Sequence, residues 1–200
     1  MLNIRFAIDP ARIADHWSQK FPSRPLPADI LVTTGELRSG TERNWKSLEG
    51  KILPHIESVT GLKGEGTIRI FMLPTELDIG HYLDKETVEF GHGDLYPHYT
   101  MIGISHEIIH CLTHDFYAEL SDDDKWLFHA LVYLSADEEI RFLLNGKSDY
   151  FSSPVIETYH KRLLSSARLA LPYWIEHMKD PQKESLYELF HRIKNADSSA

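Results

Sequence analysis

One short stretch constrains this chain more than any other. It reads His106-Glu107-Ile108-Ile109-His110, preceded by Met101-Ile102-Gly103-Ile104-Ser105 and followed by Cys111-Leu112. Ile104, Ile108, Cys111 and Leu112 recur at helical spacing, so the segment reads as a buried amphipathic helix. Two histidines and a glutamate on such a helix must find partners, because burying a polar group without one costs free energy. Four residues advance a helix by slightly more than one turn, so His106 and His110 stand on one face. Two neutral imidazoles so placed bind one zinc ion, and Glu107 beside His106 reaches a zinc-activated water as general base. Satisfied core histidines are the alternative reading of the same residues.

Composition narrows the class of protein. The 200 residues, 42% of them apolar, with four Trp, nine Tyr and nine Phe, suffice for one core. We expect one compact unit in three stretches. Residues 1–38 form a strand, a helix and a proline-rich linker. Residues 39–146 form a catalytic core, and 147–200 a helical extension packed on it. A formal charge of −9 argues against nucleic-acid binding, which rests on Lys and Arg neutralising phosphates. No run of about 18 apolar residues exists, so no membrane helix is expected. The start Met1 to Pro10 lacks a basic segment followed by a long apolar one, so no secretory signal is expected. Cys111 is the single cysteine and allows no intrachain disulfide, in keeping with a cytoplasmic protein.

Local patterns give the elements. Ile4 to Ile8 reads as a strand, and Asp9-Pro10 opens a helix toward Lys20. Pro22, Pro25 and Pro27 mark a linker. Ser39 with Glu42 makes a capping box. The helix that it opens carries Trp45, Leu48, Ile52, Ile56 and Val59 on one stripe and stops at Gly61. Thr67 to Leu73 reads as a strand, and Val88 to Phe90 as a short edge strand. Thr100 caps the motif helix, which extends to about Phe116. Ser121-Asp122-Asp123-Asp124 starts a helix through Trp126, Leu131, Leu134, Glu138 and Phe142 to Asn145-Gly146. Ser153-Pro154 opens another, with Ile156, Tyr159, Leu163 and Ala167 inward, interrupted at Pro172. Asp180-Pro181 opens a last one, with Leu186, Leu189, Phe190 and Ile193 inward. The sum is α+β, mostly helical, with a small sheet packed on the motif helix and on the glutamate helix that follows it.

Two histidines do not hold a catalytic zinc alone, since such sites usually have three protein ligands. A metzincin-type extension is excluded, because Phe116 and Thr113 stand where it needs His and Gly. His114 shares a straight helix with the first two and suits a supporting or surface role. The next helix offers Asp137, Glu138 and Glu139. Glu138 shares a stripe with Leu131, Leu134 and Phe142 and faces the core, where a carboxylate is costly unless paired or metal-bound. Glu139 lies about 100° further round. Glu138, Glu139 and His129 thus remain open as the third ligand.

A buttressing helix, a strand, an H-E-x-x-H helix and a glutamate on the following helix resemble the gluzincin-type zinc metallopeptidases. The thermolysin-like core and the small minigluzincin and ImmA-like peptidase domains share this layout, over about residues 40 to 145 here. His106, Glu107 and His110 match residue by residue, and Glu138 matches in role. The chain departs from thermolysin-like enzymes at Phe142, where they carry an aspartate that orients a zinc ligand. The resemblance implies a zincin-like fold, a Zn2+ cofactor and hydrolysis of a peptide or protein substrate with Glu107 as general base. It also implies a Tyr or His that stabilises the oxyanion, for which Tyr159 and His160 are the candidates. The edge strand near Val88 to Phe90 would pair with an extended substrate. A zinc hydrolase of non-peptide amides or esters, and a silent zinc-binding regulatory module, are the rival expectations.

Overall fold

The computed structural model describes residues 1–91, 99–146, 149–152 and 161–197. Four strands, β1 (Leu2–Ala7), β2 (Gly66–Met72), β3 (Ile79–Asp84) and β4 (Thr87–Gly91), form one sheet in the order β1-β2-β4-β3. β1, β2 and β4 run parallel, and β3 pairs antiparallel with β4. Parallel neighbours need a crossover. Helices α1 (Pro10–Lys20) and α2 (Ile30–Thr60) supply it between β1 and β2. Period-two alternation sends Ile4, Phe6, Ile68, Ile70, Met72, Val88 and Phe90 to one buried face. In register, Ile4 meets Ile68, Ile70 meets Val88, and Met72 meets Phe90.

That face is covered by α2 and by the motif helix α3 (Tyr99–Leu112). The α2 stripe is buried as its spacing requires, with Trp45, Ile52, Ile56 and Val59 in the core and Gly61 closing the helix in the left-handed region. The helix does not begin at Ser39, however. It begins at Ile30, so the proposed boundary between 38 and 39 falls inside it. Ser39 Oγ donates to the Gly35 carbonyl inside the helix instead of capping its start. A strong local capping pattern has lost to continuous helix on both sides of it.

Two further differences concern the site. β4 lies between β2 and β3, so Val88 to Phe90 is an interior strand, and the edge belongs to β3. Thr100 sits inside α3, not ahead of it, and α3 ends at Leu112, before a separate short helix α4 (His114–Glu119).

The remaining helices form a second layer. α5 (Asp122–Tyr133) starts at Ser121, whose hydroxyl accepts from the Asp124 amide. It continues through one π-helical turn, Leu134–Glu138, into α6 (Glu139–Asn145). α7 (Lys161–His177) packs along α5 and buries Leu163, Ala167, Ala170 and Trp174. Pro172 lies within α7 and does not interrupt it. α8 (Leu186–Asp197) buries Leu186, Leu189, Phe190 and Ile193. Its start is set by Ser185 and Glu188, which bond each other's backbone amides, and not by Asp180-Pro181. Among the described residues, no helix is long and apolar enough to cross a membrane.

The motif helix approaches the sheet at Gly103. A Cβ there would lie 2.9 Å from Cε2 and Cζ of Phe90, a ring buried in the core. Gly103→Ala should therefore destabilise the protein by about 1–3 kcal/mol through overpacking. Alanine in an open helical position would instead stabilise by up to about 1 kcal/mol. Denaturant unfolding gives the sign, and a stabilised variant would show that α3 does not press on β4.

Candidate metal centre

α3 and the α5–α6 helix meet face to face, and three imidazoles converge between them. His106 and His110 stand one turn apart on α3, as their spacing dictates. His129 reaches in from α5. One nitrogen from each lies within 4.8 Å of the other two. His106 Nε2 and His129 Nε2 are 3.0 Å apart. Two nitrogens bound to one tetrahedral zinc, each at roughly 2.0–2.1 Å, would be about 3.3 Å apart.

The other nitrogen of His106 fixes its tautomer. Nδ1 lies 2.5 Å from Asp137 Oδ2. A carboxylate only accepts, so Nδ1–H donates, and in the neutral ring Nε2 carries the lone pair. A carboxylate that orients the imidazole from behind is a recurring partner of metal-binding histidines.

The π-helical turn makes this arrangement possible. His129 and Asp137 are eight residues apart. On an uninterrupted α-helix they would point about 80° apart, and one extra residue in a π turn brings them within about 20°. One helix face thus presents His129 to Nε2 and Asp137 to Nδ1 of the same imidazole.

Protonation in this cluster follows burial. Burial, then repulsion from His106 and His129, holds the His110 pKa well below the usual histidine value. Burial, then His106, lowers that of His129 to about 3. At His106 burial opposes the charge, but the Asp137 carboxylate and its hydrogen bond, with Glu107, outweigh it and raise the pKa. Neutral His110 and His129 have lone pairs to give. His110 Nδ1 is buried and has no hydrogen-bond partner among the described residues. Three convergent imidazoles, one of them oriented by a carboxylate, fit a divalent metal held by three ligands.

Glu107 is buried on the same turn as His106, and its Oε2 accepts from the Tyr82 backbone amide at 2.9 Å. The carboxylate is thereby tied to β3 across the mouth of the site. Tyr82 also stacks its ring on His110, with centroids 4.9 Å apart and planes 10° apart.

Neither glutamate of the following helix joins the imidazoles. Glu138 is wholly buried but turned away, and it is the end point of a different network. The Tyr133 hydroxyl (2.6 Å) and the Phe151 amide (3.0 Å) donate to Oε1, and Arg141 pairs with Oε2. Glu139 Oε1 accepts from the Tyr150 hydroxyl at 2.7 Å and from Trp174 Nε1 at 3.1 Å. Both carboxylates are buried for structural reasons, joining α6 to residues 149–152 and to α7. A buried carboxylate needs a partner, and here the partners of both are protein groups. His129 is the third imidazole of the cluster, and Asp137, one residue before Glu138, bonds His106. Tyr159 and His160 lie outside the described residues. His114 meets the Tyr82 ring edge-on, beside the cluster and not in it.

Sequence reasoning weighs His129, names Asp137 only as one of three neighbouring acids, and has no signal for Tyr82. Nothing in Leu134-Ser135-Ala136-Asp137-Glu138 announces a π turn, and Tyr82 follows no motif. Comparison of the chain with protein-family models, with curated proteins and with solved structures finds no match.

The ligand assignment has a direct consequence. His129→Ala should lose stoichiometric divalent metal. Glu138→Gln should keep it while losing about 3 kcal/mol of folding stability, since it weakens a buried ion pair. Atomic absorption with denaturant unfolding separates the two, and metal lost from the Glu138 variant alone would return the third ligand to the glutamate.

Proposed function

We propose that the chain is a zinc-dependent hydrolase of amide bonds, with a peptide as the substrate. One observation carries this reading. Three imidazoles converge on one point, and a carboxylate fixed by a backbone amide stands one residue from the first of them. Catalytic zinc sites have three protein ligands and leave the fourth position to water or substrate, and three histidines are one of the known donor sets. Zinc held there would supply Lewis acidity, acidifying water and polarising a carbonyl.

The chain's own residues do the rest. Glu107 takes the proton from the attacking water and returns it to the leaving amine, so that the amine departs neutral. The Tyr82 amide holds Glu107 in place between these two transfers. Asp137 keeps Nε2 of His106 directed at the metal. The half-buried rings of Tyr82, Tyr117 and Trp126 stand against the imidazoles and limit the water around them.

A zincin-like architecture agrees with an H-E-x-x-H helix under a sheet whose edge strand runs beside it. The third ligand departs from the gluzincin pattern, with histidine in place of glutamate. The peptide substrate rests on the motif and on the adjacent β3 edge. The Tyr82 amide of that edge is already bonded to Glu107, so a substrate strand would pair elsewhere along β3.

Glu107→Gln should keep metal and fold and lose hydrolysis, because glutamine cannot accept the proton. With unfolded casein or a peptide library as substrate, we expect a fall of at least about 100-fold, in the range of general-base removal. Turnover at the wild-type rate would remove Glu107 from the reaction. Cleavage that persists in a strong chelator would remove the metal from it.

A further inference from the structure

His106 and His110 share a helix face and the proposed metal, but they are held differently. The Asp137 carboxylate fixes the rotation of His106. His110 Nδ1 has no hydrogen-bond partner among the described residues, so no polar group sets the plane of that ring. Its neighbours are aromatic. Tyr82 stacks on one face at 4.9 Å and 10°, Tyr117 meets it edge-on at 5.4 Å and 78°, and His129 meets it edge-on at 4.8 Å and 74°. Of these three, only Tyr82 lies parallel to the imidazole, and a parallel ring is the contact that opposes rotation of χ2.

Tyr82 is itself anchored for this task. It lies on the edge strand β3, where the register slips. Tyr82 pairs with Val88 and Asp84 with Thr87, which leaves Leu83 as the extra residue of a bulge. Tyr82 itself keeps the regular register, and its pairing with Val88 puts its side chain on the sheet face that α3 covers, with the bulge following it. The Tyr82 amide is held by Glu107, and its ring is braced edge-on by His114 at 5.8 Å and by Tyr117 at 6.2 Å.

We propose that Tyr82 is a positioning residue of the metal centre: its stacked ring, on the same face of the sheet as Val88, sets the His110 imidazole plane in the way that Asp137 sets that of His106. The proposal rests on the reading of the three histidines as metal ligands. A flat π face does the work and the hydroxyl does not, so the ring and its substituents make different predictions.

The test is titration of the full metal-free chain with cobalt(II) alone, followed by its ligand-field absorption. The wild type is compared with Tyr82→Phe and Tyr82→Leu, and thermal melting checks the fold of each. Phenylalanine keeps the π face, and leucine keeps apolar bulk without it. We expect Tyr82→Phe to bind within about two-fold of wild type and Tyr82→Leu to bind roughly three- to ten-fold more weakly, the range of one aromatic pair. Tyr82→Leu binding as tightly as wild type would overturn the proposal while leaving the three ligands in place. Tyr82→Phe binding as weakly as Tyr82→Leu would move the role to the hydroxyl and overturn it too. A wild type that binds no cobalt would overturn the metal reading and this proposal with it.

Discussion

His106 is buried between two helices, and each of its ring nitrogens must meet a partner there. The helix opposite faces both, with the Asp137 carboxylate at Nδ1 and His129 Nε2 at 3.0 Å from Nε2, where one metal ion would satisfy both lone pairs. The packing of α3 against α5 and α6 is organised by this requirement. A helix of uniform pitch could not present both side chains in one direction, and the π turn at Leu134–Glu138 supplies the missing rotation. π turns occur mostly as single insertions in α-helices, often at functional sites, and here the geometric reason is visible.

The same turn decides the fate of the neighbouring acids. With Asp137 directed at His106, Glu138 and Glu139 are carried round toward residues 149–152 and α7. Both are buried, and both have partners: Arg141, Tyr133 and the Phe151 amide for one, Tyr150 and Trp174 for the other. Three successive carboxylates thus serve in three directions. The first orients an imidazole, and the other two brace the wall against which that imidazole stands. A site held to small tolerances needs such support from behind.

Much of the scaffold was legible because it depends on short-range rules. Period-two alternation marked β1 and β2, the apolar stripe from Trp45 to Val59 marked most of α2, and Asp9-Pro10, Gly61 and Ser121 marked ends that the structure keeps. The position of His106, Glu107 and His110 on one buried turn followed from helical spacing alone. What escaped depended on tertiary context. Ser39 and Glu42 form a good local start signal inside a helix that continues through it. Val88 to Phe90 is a strand by composition, but its interior place is set by β3, which covers its outer edge. That His129 and not Glu138 stands with the α3 histidines is not visible on a wheel of constant pitch, since a single inserted residue turns that wheel by about 100°. Tyr82 stands beside His110 because β3 pairs it with Val88 on the side that α3 covers, and that depends on a strand pairing that the residues around Tyr82 do not mark.

The central claim is that His106, His110 and His129 hold one metal ion and that no glutamate does. Zinc-edge X-ray absorption of the purified, zinc-loaded protein tests it most directly. The account predicts nitrogen and oxygen neighbours only, at roughly 2.0–2.1 Å, with outer-shell scattering from about three imidazole rings. Scattering from about two imidazoles with a carboxylate, or no zinc retained through purification, would contradict it.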